Sequence, residues 1–217
     1  MKSIVVVSSL TLSYVASAHE PPRRPDVLKV TIYDSANVRR AILLDAVTQL
    51  RLIFGKAGVG LYVAVGNPED EDAGLFTYVP SPHMDRARET ACQALRDIRV
   101  KIVGSSPAGL NNNVLGMSSP FARAGLNVRL FNDHIRQAAD LHSRPFAIVL
   151  SYAMAHEIGH VLLRSGDHGS RGIMSTVWTA NEYARMDCGG VLLFTDDEVK
   201  KMVADVSGMG CPGRAIF

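Results

Sequence analysis

The stretch Phe146–Leu163, FAIVLSYAMAHEIGHVLL, constrains this chain more than any other, because as a helix it is apolar on nearly every side. Such a helix has no face to give to water, so it belongs at the centre of a domain with other elements packed around it. Pro145 stands where a helix start tolerates proline, and Ser165-Gly166 is the expected stop. Set into this apolar surface are His156, Glu157 and His160. Imidazole and carboxylate groups held deep among apolar side chains need a partner, and one metal ion serves both histidines.

His156-Glu157-Ile158-Gly159-His160 is the H-E-x-x-H pattern. Positions i and i+4 share a helical face, so two imidazoles reach one ion at about 2.0–2.1 Å each. Glu157 follows the first histidine and points its carboxylate at a water on that ion. Zinc lowers the pKa of such a water towards neutrality, and the carboxylate takes its proton as the water attacks a carbonyl carbon. These residues therefore predict zinc-dependent hydrolysis of a peptide bond, with one Zn2+ ion and Glu157 as general base.

A catalytic zinc takes three protein ligands and keeps one open position. His168 lies just past Gly166, and a helix that stops there folds the chain back to the same ion. Glu182, in Asn181-Glu182-Tyr183, is the rival third ligand in a thermolysin-like set of two histidines and one glutamate. Its spacing from His160 is not the usual one, and Met186 stands where such sites carry an aspartate. A different class of function is an exported metal- or partner-binding module without catalysis. The presence of Glu157 argues against it, since a structural site closes with a fourth ligand and has no use for a general base. Gly172-Ile173-Met174 is a tight turn that places Met174 as an apolar floor. Tyr152 and Tyr183 are candidate donors to a developing oxyanion, Tyr152 equally a packing residue. His83, His134 and His142 read as surface or structural, and Trp178 as packing beneath the turn.

Together these residues resemble the metzincin clan of zinc metallopeptidases, over roughly Ala147 to Trp178. The departure is definite. The metzincin pattern H-E-x-x-H-x-x-G-x-x-H requires Gly at Leu163 and His at Gly166, whereas here the breaking glycine and the third histidine come later. The chain is similar to a group of exported bacterial proteins that share this spaced-out motif. The resemblance implies a metzincin-like zincin domain: a small mixed twisted sheet, a backing helix, a central active-site helix and a cleft above a smaller lower part. It also implies that Leu126 to Phe131 is an edge strand binding extended substrate by strand addition.

Outside this segment the pattern is that of an α+β domain. Leu28, Val30 and Ile32 alternate with polar residues, and Asp34 or Ser35 caps a helix carrying Val38, Ile42, Ala46, Leu50 and Phe54, ended by Gly55. Val59 to Val65 is a second strand, parallel to the first by the right-handed crossover rule. A helix follows over Arg86 to Leu95, then strands over Ile98–Ile102 and Leu126–Leu130, with Gly104 to Pro120 a long loop between them. Thr195-Asp196-Asp197-Glu198 is a capping box opening a last helix over Val199 to Val206. The acidic stretch Glu69 to Asp72 and Asn111 to Asn113 are candidate cleft walls.

With 47% apolar and 20% charged residues the chain is globular, and a net charge of +2 with scattered Lys and Arg excludes a nucleic-acid binder. Lys2, the apolar run Ile4 to Val15 and Ala16-Ser17-Ala18 read as a signal peptide over 1–18, cleaved after Ala18. A Pro-rich linker over 19–26 then leads into one catalytic domain over 27–217. The expectation is a secreted or periplasmic protein with no membrane anchor after cleavage, since no other segment reaches transmembrane length. Its partner is a peptide or protein substrate. Export makes a disulfide plausible among Cys92, Cys188 and Cys211, with Cys188–Cys211 the preferred pair and Cys92 a candidate latency thiol.

Overall fold

Alternating β-branched residues put one apolar face on each strand, and the computed structural model assembles those faces into one sheet. It describes residues 27–66, 77–78, 97–121, 127–186 and 192–208. The expected leader and linker, the acidic stretch, the helix expected over Arg86 to Leu95, His83 and all three cysteines lie outside the described residues.

The strands are β1 (Val27–Asp34), β2 (Gly60–Gly66), β3 (Thr77–Tyr78), β4 (Asp97–Val103), β5 (Gly116–Ser118) and β6 (Val128–Phe131). The helices are α1 (Arg40–Lys56), α2 (Asn132–Leu141), α3 (Phe146–Leu163), α4 (Ala180–Arg185) and α5 (Asp196–Gly208). The sheet order is β3-β2-β1-β4-β6-β5. β1 pairs in parallel with β2 and β4, and β4 with β6, while β3 and β5 run antiparallel at the two edges. The β1–α1–β2 crossover with parallel neighbours is the one expected from sequence, and the class is the expected mixed α+β.

Leu28, Val30, Ile32, Val63, Ile98, Val100, Ile102, Val128 and Leu130 form one core with the buried residues of α1 and α3. α3 lies at its centre and touches α1, α2, α5, β5 and β6. By length and composition α3 meets the requirement for a membrane-crossing helix, with mean hydropathy 1.5, which corrects the reading that no segment past the expected leader does. Inside the domain 72% of it is buried against the rest of the chain.

Three local expectations need correction. Asp34 accepts from the Ala36 and Val38 amides, but it shapes a turn; α1 itself opens at Arg40 with Arg39 as its cap residue. Gly55 does not end α1. The stop is a Schellman turn at Gly58, φ +74°, where Val59 N–H reaches Phe54 O at 2.9 Å and Gly58 N–H reaches Gly55 O at 3.0 Å. The supposed loop Gly104–Pro120 contains β5, so the strand expected at the edge over Leu126 to Phe131, seen here as β6, is flanked on both sides and β5 is the edge. The capping box at Thr195 forms as expected, Thr195 N–H donating to Glu198 at 2.7 Å, and α5 runs longer than anticipated.

Candidate metal centre and cleft

α3 presents His156 and His160 on one face, and backbone carbonyls fix the inner nitrogen of each ring. His156 Nδ1 lies 2.7 Å from Ile173 O, and His160 Nδ1 lies 2.8 Å from Ser165 O. A carbonyl only accepts, so both Nδ1 atoms carry the proton and both Nε2 atoms keep a free lone pair. Those two Nε2 atoms sit 3.1 Å apart. Two lone pairs facing each other at that distance repel unless a cation lies between them. Tetrahedral zinc at about 2.0–2.1 Å from each nitrogen sets a nitrogen–nitrogen spacing of about 3.3 Å.

His168 completes the group. The ligand atoms of His156, His160 and His168 all lie within 4.8 Å of one another, the one such metal-ligating group among the described residues. The His168 ring centroid stands 5.2 Å from that of His156 and 4.7 Å from that of His160. The chain returns to the helix because Gly169 N–H bonds Met174 O at 2.7 Å, closing the loop. The donor set, three imidazoles with two pre-set tautomers, fits a zinc ion.

The helix end that permits this return is Arg164, in the left-handed conformation at φ +48°, and not Ser165-Gly166 as expected. Its side chain pairs with Asp205 of α5 at 2.9 Å. Measured against the metzincin spacing, the shifted third histidine divides evenly: one extra residue precedes the left-handed turn and one follows it.

Met174 is buried against α3, and Gly159 is the residue that makes room for it. A Cβ at Gly159 would come 2.5 Å from Met174 Sδ and 3.0 Å from Phe194 Cε1. The turn itself depends on Gly172, φ +79°, where a Cβ would stand 2.6 Å from Leu193 O.

Glu157 points the other way, towards β5. It is 8% exposed, and burial pushes its carboxyl up to about 7, partly offset by a hydrogen bond from the Ser118 hydroxyl. Gly116 leaves the space its stem occupies: a Cβ there would be 2.9 Å from Glu157 Cγ. Burial likewise lowers His156 to about 4, the neighbouring His160 and His168 adding to the effect, and lowers His160. Both rings are therefore neutral, as metal ligation requires.

Above these groups lies a cavity of about 490 Å³ whose lining includes His156, Glu157, His160 and His168. Its walls include Asn112 and Asn113, as anticipated, with Leu115, Met117, Leu141 and Val177. Among the described residues no Lys, Arg or Asp lines it. One wall is His142 stacked on Tyr183 at 3.8 Å. Of the two candidate tyrosines, Tyr183 lines the cavity, its phenol pushed up to about 12 by burial, whereas Tyr152 is fully buried against Trp178.

Glu182 is engaged elsewhere. Its carboxylate closes the capping box of α4, accepting from Thr179 N at 2.9 Å and from the Thr179 hydroxyl at 2.5 Å. His134 is structural, as expected: it is buried, with Nδ1 2.8 Å from Val114 O and Nε2 2.8 Å from Ser106 Oγ. Sequence reasoning missed Gly116, Ser118 and Leu141. Three residues of β5 are too few to display alternation, and no motif marks them.

Neither a family model nor a curated protein sequence matches the chain. In three dimensions it matches the crystal structure of an archaemetzincin from Methanopyrus kandleri with a TM-score of 0.52 at 12% identity, over 86% of this chain and 99% of that one. The fold is archaemetzincin-like. The likeness to metzincins read from the motif thus extends to the architecture around it. At this identity the archaemetzincin speaks for the fold, and the roles of individual residues rest on the geometry above.

Proposed function

We propose that this chain is an exported zinc-dependent endopeptidase in which His156, His160 and His168 hold the ion and Glu157 is the general base. The observation that carries the reading is the pair of Nε2 atoms 3.1 Å apart with both Nδ1 protons committed to backbone carbonyls. A bound zinc ion would supply Lewis acidity to a substrate carbonyl and acidify a water. Glu157, with a carboxyl near neutrality, accepts a proton from the attacking water and returns it to the leaving amide nitrogen. Met174 keeps the floor beneath the histidines rigid and apolar.

The edge of β5, which no described strand pairs on its outer side, orients the substrate. Leu115 O accepts from Phe131 N–H and Ser119 N–H donates to Asn127 O. By the alternation of an antiparallel ladder, the backbone groups of Gly116 and Ser118 face away from β6, available to an extended peptide. Met117, Leu141 and Val177, at 54%, 74% and 53% exposure, rim the cavity and favour a substrate with apolar side chains. Tyr183, in the cavity wall, is the candidate donor to the oxyanion.

The test is zinc content and hydrolysis of a denatured protein for the wild type, Glu157→Gln, His168→Ala and Glu182→Ala. Stoichiometric zinc in all but His168→Ala, with hydrolysis lost in Glu157→Gln, is expected. Zinc lost only with Glu182→Ala would move the protein to the set of two histidines and one glutamate. A wild type that takes up no zinc would overturn the peptidase reading.

A further inference from the structure

We propose that Trp178 is a positioning residue for His156, acting through the Ile173 carbonyl that both rings share. This rests on the three-imidazole reading above and adds to it a residue outside the ligand set. Ile173 O accepts from His156 Nδ1 at 2.7 Å and from Trp178 Nε1 at 3.1 Å. A carbonyl oxygen has two lone pairs, and here each has one donor. The same residue is tied from its other side, Ile173 N–H reaching Leu193 O at 3.1 Å. With two donors on its oxygen and an acceptor on its nitrogen, Ile173 has little freedom to turn, and the His156 ring turns with it.

The indole is itself fixed from several directions. His156 meets it edge-on at 5.6 Å and 88°, Tyr152 at 6.5 Å and 85°, and Tyr183 at 6.0 Å and 87°. Such perpendicular contacts set the plane of a ring as well as its position. The plane of Trp178 then decides where its N–H points, and the N–H decides the carbonyl. Phenylalanine keeps an aromatic ring at this site but fills less of it and lacks the donor, so an isostere that keeps the bicyclic shape is the cleaner probe. Trp178 also lines the cavity, so the shared carbonyl connects the cleft wall to a ligand.

The chain contains a single tryptophan. Replacing tryptophan throughout by benzothienylalanine therefore alters position 178 alone, keeping the bicyclic shape and exchanging N–H for sulfur. The full chain in this form, with Trp178→Phe and the wild type, is titrated with Co2+ under visible absorption and with Zn2+ against a chromophoric chelator. Folding is followed in parallel by thermal melting. The expected result is metal affinity lower by about 10-fold or more in both altered proteins, with shifted Co2+ bands and a retained cooperative melt, since partners that orient a ligand affect affinity on this scale. Wild-type affinity and spectrum in the folded benzothienylalanine protein would overturn the positioning role and leave the peptidase reading standing. A wild type that binds neither ion would overturn both.

Discussion

Gly159 illustrates how much of the site turns on single atoms. It fills a position that the H-E-x-x-H pattern leaves open, and the sequence gives no reason for glycine there. The structure supplies one, because Met174 Sδ and the Phe194 ring occupy the space of a Cβ. Gly159→Ala gains about 1 kcal/mol of helix propensity but overpacks a buried contact at about 1–3 kcal/mol. A net loss is expected, seen as a lower melting temperature, together with weaker zinc binding as Met174 is pushed from beneath the histidines. An unchanged melt and affinity would mean that Met174 moves freely. Arg164 is the converse case: a left-handed residue that is not glycine, which no residue-level rule selects, held where Ser165 O meets His160 and where its side chain meets Asp205.

Among the elements, β5 depends on its neighbours for both its existence and its position. The segment leading to it is clamped to the start of α2: Ser106 N–H donates to Asp133 at 2.9 Å and the Ser106 hydroxyl at 3.1 Å, while His134 holds Val114 O. Burial raises the Asp133 carboxyl, but hydrogen bonds from the Ser106 and His134 amides and the Ser106 hydroxyl, with the charge of His134, outweigh it and hold the group below its ordinary range. A depressed carboxyl contributes stability above its unfolded pKa and loses it as pH falls through the folded value. The melting-temperature gap between wild type and Asp133→Asn should therefore be largest near neutrality and shrink on acidification below about pH 4. A gap independent of pH would show that Asp133 acts by shape alone. On the strand itself, a Cβ at Gly116 would meet Arg129 O, a backbone atom, at 3.0 Å as well as Glu157. Backbone yields less readily than a side chain. Gly116→Ala should cost about 1–3 kcal/mol and, on the proposed role of Glu157 as general base, reduce kcat for peptide hydrolysis more than it raises KM, because it displaces that carboxylate.

For the molecule as a whole, a ligand that binds only the folded state stabilises it by mass action. Zinc at about a thousand times its dissociation constant should add about 4 kcal/mol, raising the melting temperature of wild type and of Glu157→Gln but not of His168→Ala; a chelator should reverse the gain. Equal gains in all three would place the ion elsewhere. The sequence determined α3 and its start after Pro145, the parallel β1–α1–β2 unit, the capping box of α5 and the three histidines as candidates, because helix periodicity, strand alternation and capping are local properties of a chain. Only the tertiary structure decided the rest. It made β5 the edge, since a three-residue strand exists only where β6 offers it partners. It put the helix stop at Arg164, since the side chain there is held by Asp205 of α5. It brought His156 to the carbonyl that Trp178 also uses, since His156 and Ile173, 17 residues apart in sequence, meet only after the chain has folded; the cap that engages Glu182 is local, Thr179 lying three residues before it.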